Sequence, residues 1–261
     1  VIRMHRQELG TQYADNIDFN KVDIVFTVST LFFERVIEKF PNIPRHKVRI
    51  LSNYVNIDAY RNDWHDDRLF TLAMIGILPS KKNFHLALEV LSSLRKVDSR
   101  YKLLVYGKMP EQLSWLSKNQ EEMAYYDKCT DYISKNYLED SVEFRGHCDV
   151  KKALADERVG IVLSLSESVQ ELPGFESFHL AVADGFASGG VSLIKKWAGC
   201  EYIFQGSAVF DSTAGIVSFV HELSGNEEKF KALSKSGVKF LREKYSLEMF
   251  VYQIKMEISS L

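Results

Sequence analysis

The feature that most narrows the fold is an alternation. Short apolar runs recur along the chain, and most are followed by a stretch of helical periodicity. The spacing predicts strands at 1–4, 22–28, 48–51, 69–76, 102–107, 141–145, 159–165, 191–194 and 208–210. It predicts helices at 30–40, 84–95, 120–136, 150–156, 177–188, 213–223, 227–244 and 247–259. Short apolar strands without polar alternation are buried on both faces, as in a parallel sheet covered by helices on each side. Right-handed crossovers then give an α/β, doubly wound, Rossmann-like parallel sheet. Ligands of such sheets bind beyond the carboxyl ends of the strands.

The totals fit a soluble globular chain. There are 261 residues, of which 46% are hydrophobic and 26% charged, with a net charge of −2. Neither half is strongly basic, so the electrostatics give no argument for nucleic acid. No apolar run is long enough to cross a bilayer as a helix. Cys129, Cys148 and Cys200 are widely spaced and odd in number. They match neither a zinc pattern nor a disulfide framework, and read as free thiols in a reducing compartment. The chain starts at Val1, on a strand with no lead-in, and is expected to be a piece of something longer.

One segment draws the rest together: Gly174-Phe175-Glu176-Ser177-Phe178-His179, continuing through Asp184 to Gly189-Gly190. Ser177 is placed as an N-cap, and the free amides of Phe178 and His179 would face the same mouth as Glu176. Leu180, Ala183, Asp184 and Ala187 fall on one helical face, mostly of small residues, suited to close packing on a sheet. An acid at a helix start and a second acid two turns inside point to a ligand carrying phosphate and several hydroxyls. Glu176 alone would also be explained as a partner of the helix dipole. Asp184 is harder to explain so, because a mid-helix Asp among alanines is a poor helix former and costly to bury.

The strand exits add weaker signals. After Ile75-Gly76 come Pro79-Ser80-Lys81-Lys82, and lysines at a helix start oppose the dipole unless an anion sits there. Gly107 and Gly146-His147 follow two further strands, and His5 follows the opening one. No GxGxxG, GxxxxGK[ST] or GxSxG motif occurs, against a standard dinucleotide dehydrogenase, a P-loop NTPase or an α/β-hydrolase. Residues 53–67 are polar and aperiodic and read as a linker.

In this order the residues resemble a known family. The run Val48-Arg-Ile-Leu-Ser-Asn53-Tyr-Val-Asn-Ile-Asp58, Ile75-Gly76 with Lys82 six residues on, Val105-Tyr-Gly107, Val142-Glu-Phe-Arg-Gly146, then Glu176 and Asp184 separated by seven residues, is similar to the retaining GT-B glycosyltransferases of the group 1, or family 4, type. The resemblance covers nearly the whole chain. It implies one half of a GT-B architecture, with 1–62 as the end of an N-terminal Rossmann-like acceptor domain and hinge. Residues 63–245 would be the nucleotide-sugar-binding domain, and 246–261 a helix crossing back.

The resemblance also implies roles. Glu176 and His5 would face the donor sugar as catalytic residues. Gly76, Lys82, Gly146, His147, Ser177, Phe178, His179 and Asp184 would bind the donor: Lys82 at the diphosphate, Asp184 at the ribose, and the loop after Gly146 at the base. The donor would be a UDP- or GDP-linked sugar, and the acceptor a glycan or lipid-linked molecule in cell-surface polysaccharide biosynthesis. No cofactor and no metal are expected. The setting would be cytoplasmic, at the inner face of the membrane, with peripheral membrane association through an N-terminal domain mostly absent here. Three positions depart from the pattern: Ile77 stands where the family has Arg, Tyr54 where Gly is common, and Asp184 where Glu is usual. Ile77 and the short N-terminal part leave a rival, a non-catalytic nucleotide-sugar-binding or partner-binding module.

Overall fold

The structure, a computed structural model, describes residues 1–204 and 208–259. The last two residues of the 246–261 segment lie outside it. In chain order the elements are β1 (Ile2–Met4), α1 (Arg6–Gly10), β2 (Val25–Thr27), α2 (Thr30–Lys39), β3 (Val48–Ile50), β4 (Thr71–Ile75), α3 (Phe84–Arg95), β5 (Lys102–Tyr106), α4 (Gln120–Lys135), β6 (Val142–Gly146), α5 (Val150–Asp156), β7 (Ile161–Ser164), α6 (Leu180–Ala187), β8 (Val191–Lys195), α7 (Cys200–Ile203), β9 (Ala208–Phe210), α8 (Thr213–Ser224), α9 (Glu227–Tyr245) and α10 (Leu247–Ile258).

They form two parallel sheets. The first is β1-β2-β3; the second has the order β6-β5-β4-β7-β8-β9. In the second, alternate residues of one strand serve opposite cores. Leu72 and Met74 of β4 pack with Leu88 and Leu91 of α3, whereas Ala73 packs with Leu154 of α5. That two-sided burial is why the strands read as continuous apolar runs. The order of this sheet reverses between β4 and β7, where a doubly wound sheet opens its crevice.

Helix α6 lies very close to the strands. A Cβ on Gly185 would come within 2.3 Å of Ser192 Oγ and 2.8 Å of Val162 Cβ. The approach therefore runs through Gly185, not through the face of Leu180, Ala183, Asp184 and Ala187. Leu180 is 49% exposed.

Residues 53–67 join the two sheets but are only partly a solvated linker. Val55 and Ile57 are buried with Phe178, Trp197 and Tyr245, and the Val55 amide donates to the Tyr245 carbonyl at 2.8 Å. After α9 the chain returns to the first sheet. Phe250 and Ile254 of α10 pack on Ile24, Phe26 and Leu51, and Arg49 meets Glu257 at 3.0 Å. No described helix is long and apolar enough to cross a membrane.

Candidate functional site

The reversal of the strand order brings two loops together. The loop leaving β4 turns through Ser80–Lys82 and ends at Asn83, which has a left-handed backbone (φ 59°). Glu122 of α4 holds this turn, accepting from the Ser80 amide at 2.6 Å and its hydroxyl at 2.8 Å. The Asn83 side chain donates to the Leu165 carbonyl, and the Glu167 amide donates to the Lys81 carbonyl, both at 2.8 Å. The β4 exit is thereby fastened to the β7 exit, and Lys82 is aimed at the loop that leaves β7.

That loop carries Glu176. Lys82 Nζ donates to Glu176 Oε1 at 2.6 Å, and Ser166 Oγ donates to the same oxygen at 2.6 Å. His179 Nε2 lies 3.3 Å from Lys82 Nζ, and its Nδ1 lies 2.7 Å from Ser164 Oγ. An ammonium can only donate, so Nε2 accepts and Nδ1 carries the proton towards Ser164. Trp197 Nε1 donates to the same Ser164 hydroxyl at 3.4 Å. The Phe175 ring has Lys82 Nζ 5.3 Å from its centroid and the Arg6 guanidinium at 5.5 Å.

The electrostatics arise from burial and these partners. Burial works to raise the Glu176 pKa, but the basic neighbours His179 and Lys82, with the hydrogen bonds from Lys82 and Ser166, hold it below the usual value. His179 is itself pushed down to about 4, by burial first and by Lys82 as well, against the pull of Glu176. It is therefore neutral at neutral pH, and Lys82 is the cation that keeps Glu176 ionised.

Asp184 sits differently. It is half-buried on α6 and accepts from the Tyr60 hydroxyl at 2.5 Å. Burial pushes its pKa up to about 6, against the lowering effects of Tyr60 and Lys151. Lys151 belongs to α5, the helix that follows the loop after Gly146.

The other residues expected at the site sit at strand ends. Gly76 (φ 76°) and Gly146 (φ 68°) end β4 and β6 in left-handed conformations, with no atom within 4 Å of a Cβ. His147 is exposed beyond Gly146. His5 caps α1 at the end of β1; its amide donates to Glu8 Oε2 at 2.7 Å, and burial, then Arg3, lowers its pKa. The next residue, Arg6, donates to the Gly174 carbonyl at 2.8 Å, two residues before Glu176.

The helix start is a correction. Ser177 does not cap α6. The cap is His179, with a left-handed backbone (φ 55°) and no side-chain cap bond. The Phe178 side chain is 1% exposed, packed edge-on against Tyr245 and tilted against Phe204. Its ring fixes the turn into the helix, and the first free amides become those of Leu180 and Ala181. Ile77 is 1% exposed within the core, so the loop after Gly76 offers no arginine equivalent there.

Ser164, Ser166, Phe175, Trp197 and Tyr60 were not singled out from sequence. A signal existed for the serines: Leu163-Ser164-Leu165-Ser166 puts two hydroxyls inside an apolar run, and both are fully buried. Buried hydroxyls need partners. Tyr60 carried no such signal.

No protein-family model matches the chain, and no curated protein matches it. Solved structures do. HepE from Anabaena in complex with UDP superposes with a TM-score of 0.76 at 14% identity, over 100% of this chain and 72% of that one. A glycosyltransferase from Rickettsia africae gives 0.70 at 15% identity, over 94% and 65%. The pneumococcal O-GlcNAc transferase GtfA, with UDP and GlcNAc, gives 0.65 at 14%, over 96% and 48%. The chain spans 64% of the HepE chain solved with UDP and glucose. The fold is thus the α/β, Rossmann-like fold that these GT-B glycosyltransferases share.

Proposed function

We propose that this chain binds a nucleotide-diphosphate sugar at the β4–β7 reversal and is the donor-binding part of a retaining glycosyltransferase of the group 1, or family 4, type. The observation that carries the reading is the Lys82–Glu176 pair at the crevice of a doubly wound sheet, with Asp184 eight residues on. Lys82 and the Leu180 and Ala181 amides would take the diphosphate. Glu176 and His5 would face the sugar, Asp184 the ribose, and Gly146 with His147 the base.

The chemistry suits these groups. As the glycosidic bond lengthens, negative charge grows on the diphosphate and positive charge on the anomeric carbon. Lys82 opposes the first, and a Glu176 held ionised favours the second. The scheme needs no metal and assigns no nucleophile. UDP-linked donors fit the ligands named for HepE and GtfA, with GDP-linked donors the alternative. The acceptor would be a glycan or a lipid-linked molecule of cell-surface polysaccharide synthesis, met in the cytoplasm at the inner face of the membrane.

Calorimetric titration with UDP- and GDP-sugars tests this. Binding by wild type, weakened by Glu176→Ala, Lys82→Ala and Asp184→Ala, is expected. No binding by wild type, or binding indifferent to all three changes, would defeat it. Ile77 favours a second reading, a module that binds nucleotide sugars without transfer; it keeps the titration result but shows no sugar release or transfer with any donor.

A further inference from the structure

We infer that Arg35 is a positioning residue for Glu176, acting through a clasp between the two α/β units. Arg35 belongs to α2, beside the first sheet, and is 4% exposed. Its guanidinium donates to three consecutive main-chain carbonyls of the other unit: Val169 at 3.3 Å, Gln170 at 2.6 Å and Glu171 at 2.7 Å. These carbonyls lie in the loop between β7 and α6, five to seven residues before Glu176. The loop has no strand or helix of its own to fix it.

Three further contacts make the clasp tight. Arg6 of α1 donates to the Gly174 carbonyl. Gly174 has a positive φ of 78°, and a Cβ there would come within 3.0 Å of Arg35 Nη1. A Cβ on Gly10 would likewise lie 3.0 Å from Pro173 Cγ. The stretch 169–173 forms no helix or strand, and an irregular loop of this kind loses much backbone entropy when ordered. A buried guanidinium with five donors in a fixed fork can order three carbonyls at once.

The clasp has a functional consequence that rests on the proposed donor binding. Glu176 is held on the donor side by Lys82 and Ser166, but the chain leading to it is held by the other unit. Closing the two units therefore places Glu176, and opening them frees the loop that carries it. Arg35 touches no substrate in this scheme. Its effect should fall on recognition of the sugar, which Glu176 faces, and spare the nucleotide, which Asp184 and Lys82 hold.

Two measurements on the same variants test this. The first is cleavage of the ligand-free protein by a protease specific for glutamate, followed at Glu167 and Glu171. Arg35→Gln should speed cleavage there by about tenfold, the size of one lost charge-assisted bond, with other glutamates unchanged. Arg35→Lys should restore part of the protection. Should Arg35→Gln fail to fold, Gly174→Ala, which crowds Arg35 without removing it, should give the same local cleavage. The second is the ratio of UDP-sugar to UDP affinity, expected to fall by about tenfold in Arg35→Gln while UDP alone is bound as by wild type. Unchanged cleavage at Glu167 and Glu171, or faster cleavage with an unchanged ratio, would overturn the proposal. If wild type binds no nucleotide, donor binding itself fails, and the cleavage result alone decides the clasp.

Discussion

Glu176 lies in a loop, where a lysine and a serine donate to one of its oxygens; Asp184 lies on a helix and takes a hydrogen bond from a phenol. Both are largely shielded from water, yet their pKa values move in opposite directions, Glu176 down and Asp184 up to about 6. Burial pushes both the same way, so the difference comes from the neighbours. At Glu176 two basic side chains and two hydrogen bonds together outweigh desolvation, whereas at Asp184 one neutral hydroxyl and the influence of Lys151 do not. One carboxylate is built to stay ionised. The other is held at a cost that a ligand offering hydroxyl donors would relieve.

The largest expected effect comes from breaking the first arrangement. Glu176→Ala strands Lys82, whose side chain is 18% exposed, and should lower stability by about 3 kcal/mol, as for a buried pair that loses one partner. Urea unfolding at neutral pH measures it, and a loss within error would mean that Lys82 simply swings into water. Asp184→Asn should do the reverse. It keeps an acceptor for Tyr60 while removing a charge that the fold disfavours, so stability at pH 7 should rise by about 1–3 kcal/mol. A lower urea midpoint would show that the Asp184 charge is needed by the fold. Tyr60→Phe is the smallest, a loss of about 1 kcal/mol at pH 7, because Asp184 loses its donor. If the same change leaves an Asp184→Ala protein, which has no acceptor there, equally destabilised, the hydroxyl acts elsewhere.

The pH dependence sharpens the same contrast. The folded Asp184 takes its proton at about 6 and the unfolded one near 3.8, so its share of stability grows as pH falls through that window. His179 runs the other way. The unfolded imidazole protonates near 6.5 and the folded one at about 4, so its share is lost on the same descent. The two slopes oppose each other in wild type. In Asp184→Asn the gain that opposes the His179 loss is gone, and the urea midpoint should fall more steeply between about pH 6 and pH 4. Parallel profiles for the two proteins would contradict the assignment of Asp184.

Much of the scaffold was legible because its signals are local. The α3 and α5 spans follow from their periodicity alone, and the β strands stand out as doubly buried runs. The start of α6 was not legible. Ser177 has the chemistry of a cap, but Phe178 has a pocket between Phe204 and Tyr245, and burying that ring displaces the cap to His179. Tertiary packing outweighed a local preference worth about 1 kcal/mol. Lys82 and Glu176 could be named from sequence, since both follow strands at the reversal. Their direct pairing could not, because it depends on Asn83 and Glu167 fastening the two exits together. Tyr60 and Arg35 were invisible for the same reason: each acts on a residue more than a hundred positions away.

The Lys82–Glu176 bond carries a last implication, for selectivity. A visitor bearing only negative charge can claim the ammonium, but it then leaves a carboxylate abandoned in a dry place. A visitor that also presents alcohol groups can console the carboxylate in the same step. Free pyrophosphate should therefore be admitted grudgingly and a nucleotide joined to a sugar readily, before any reaction begins.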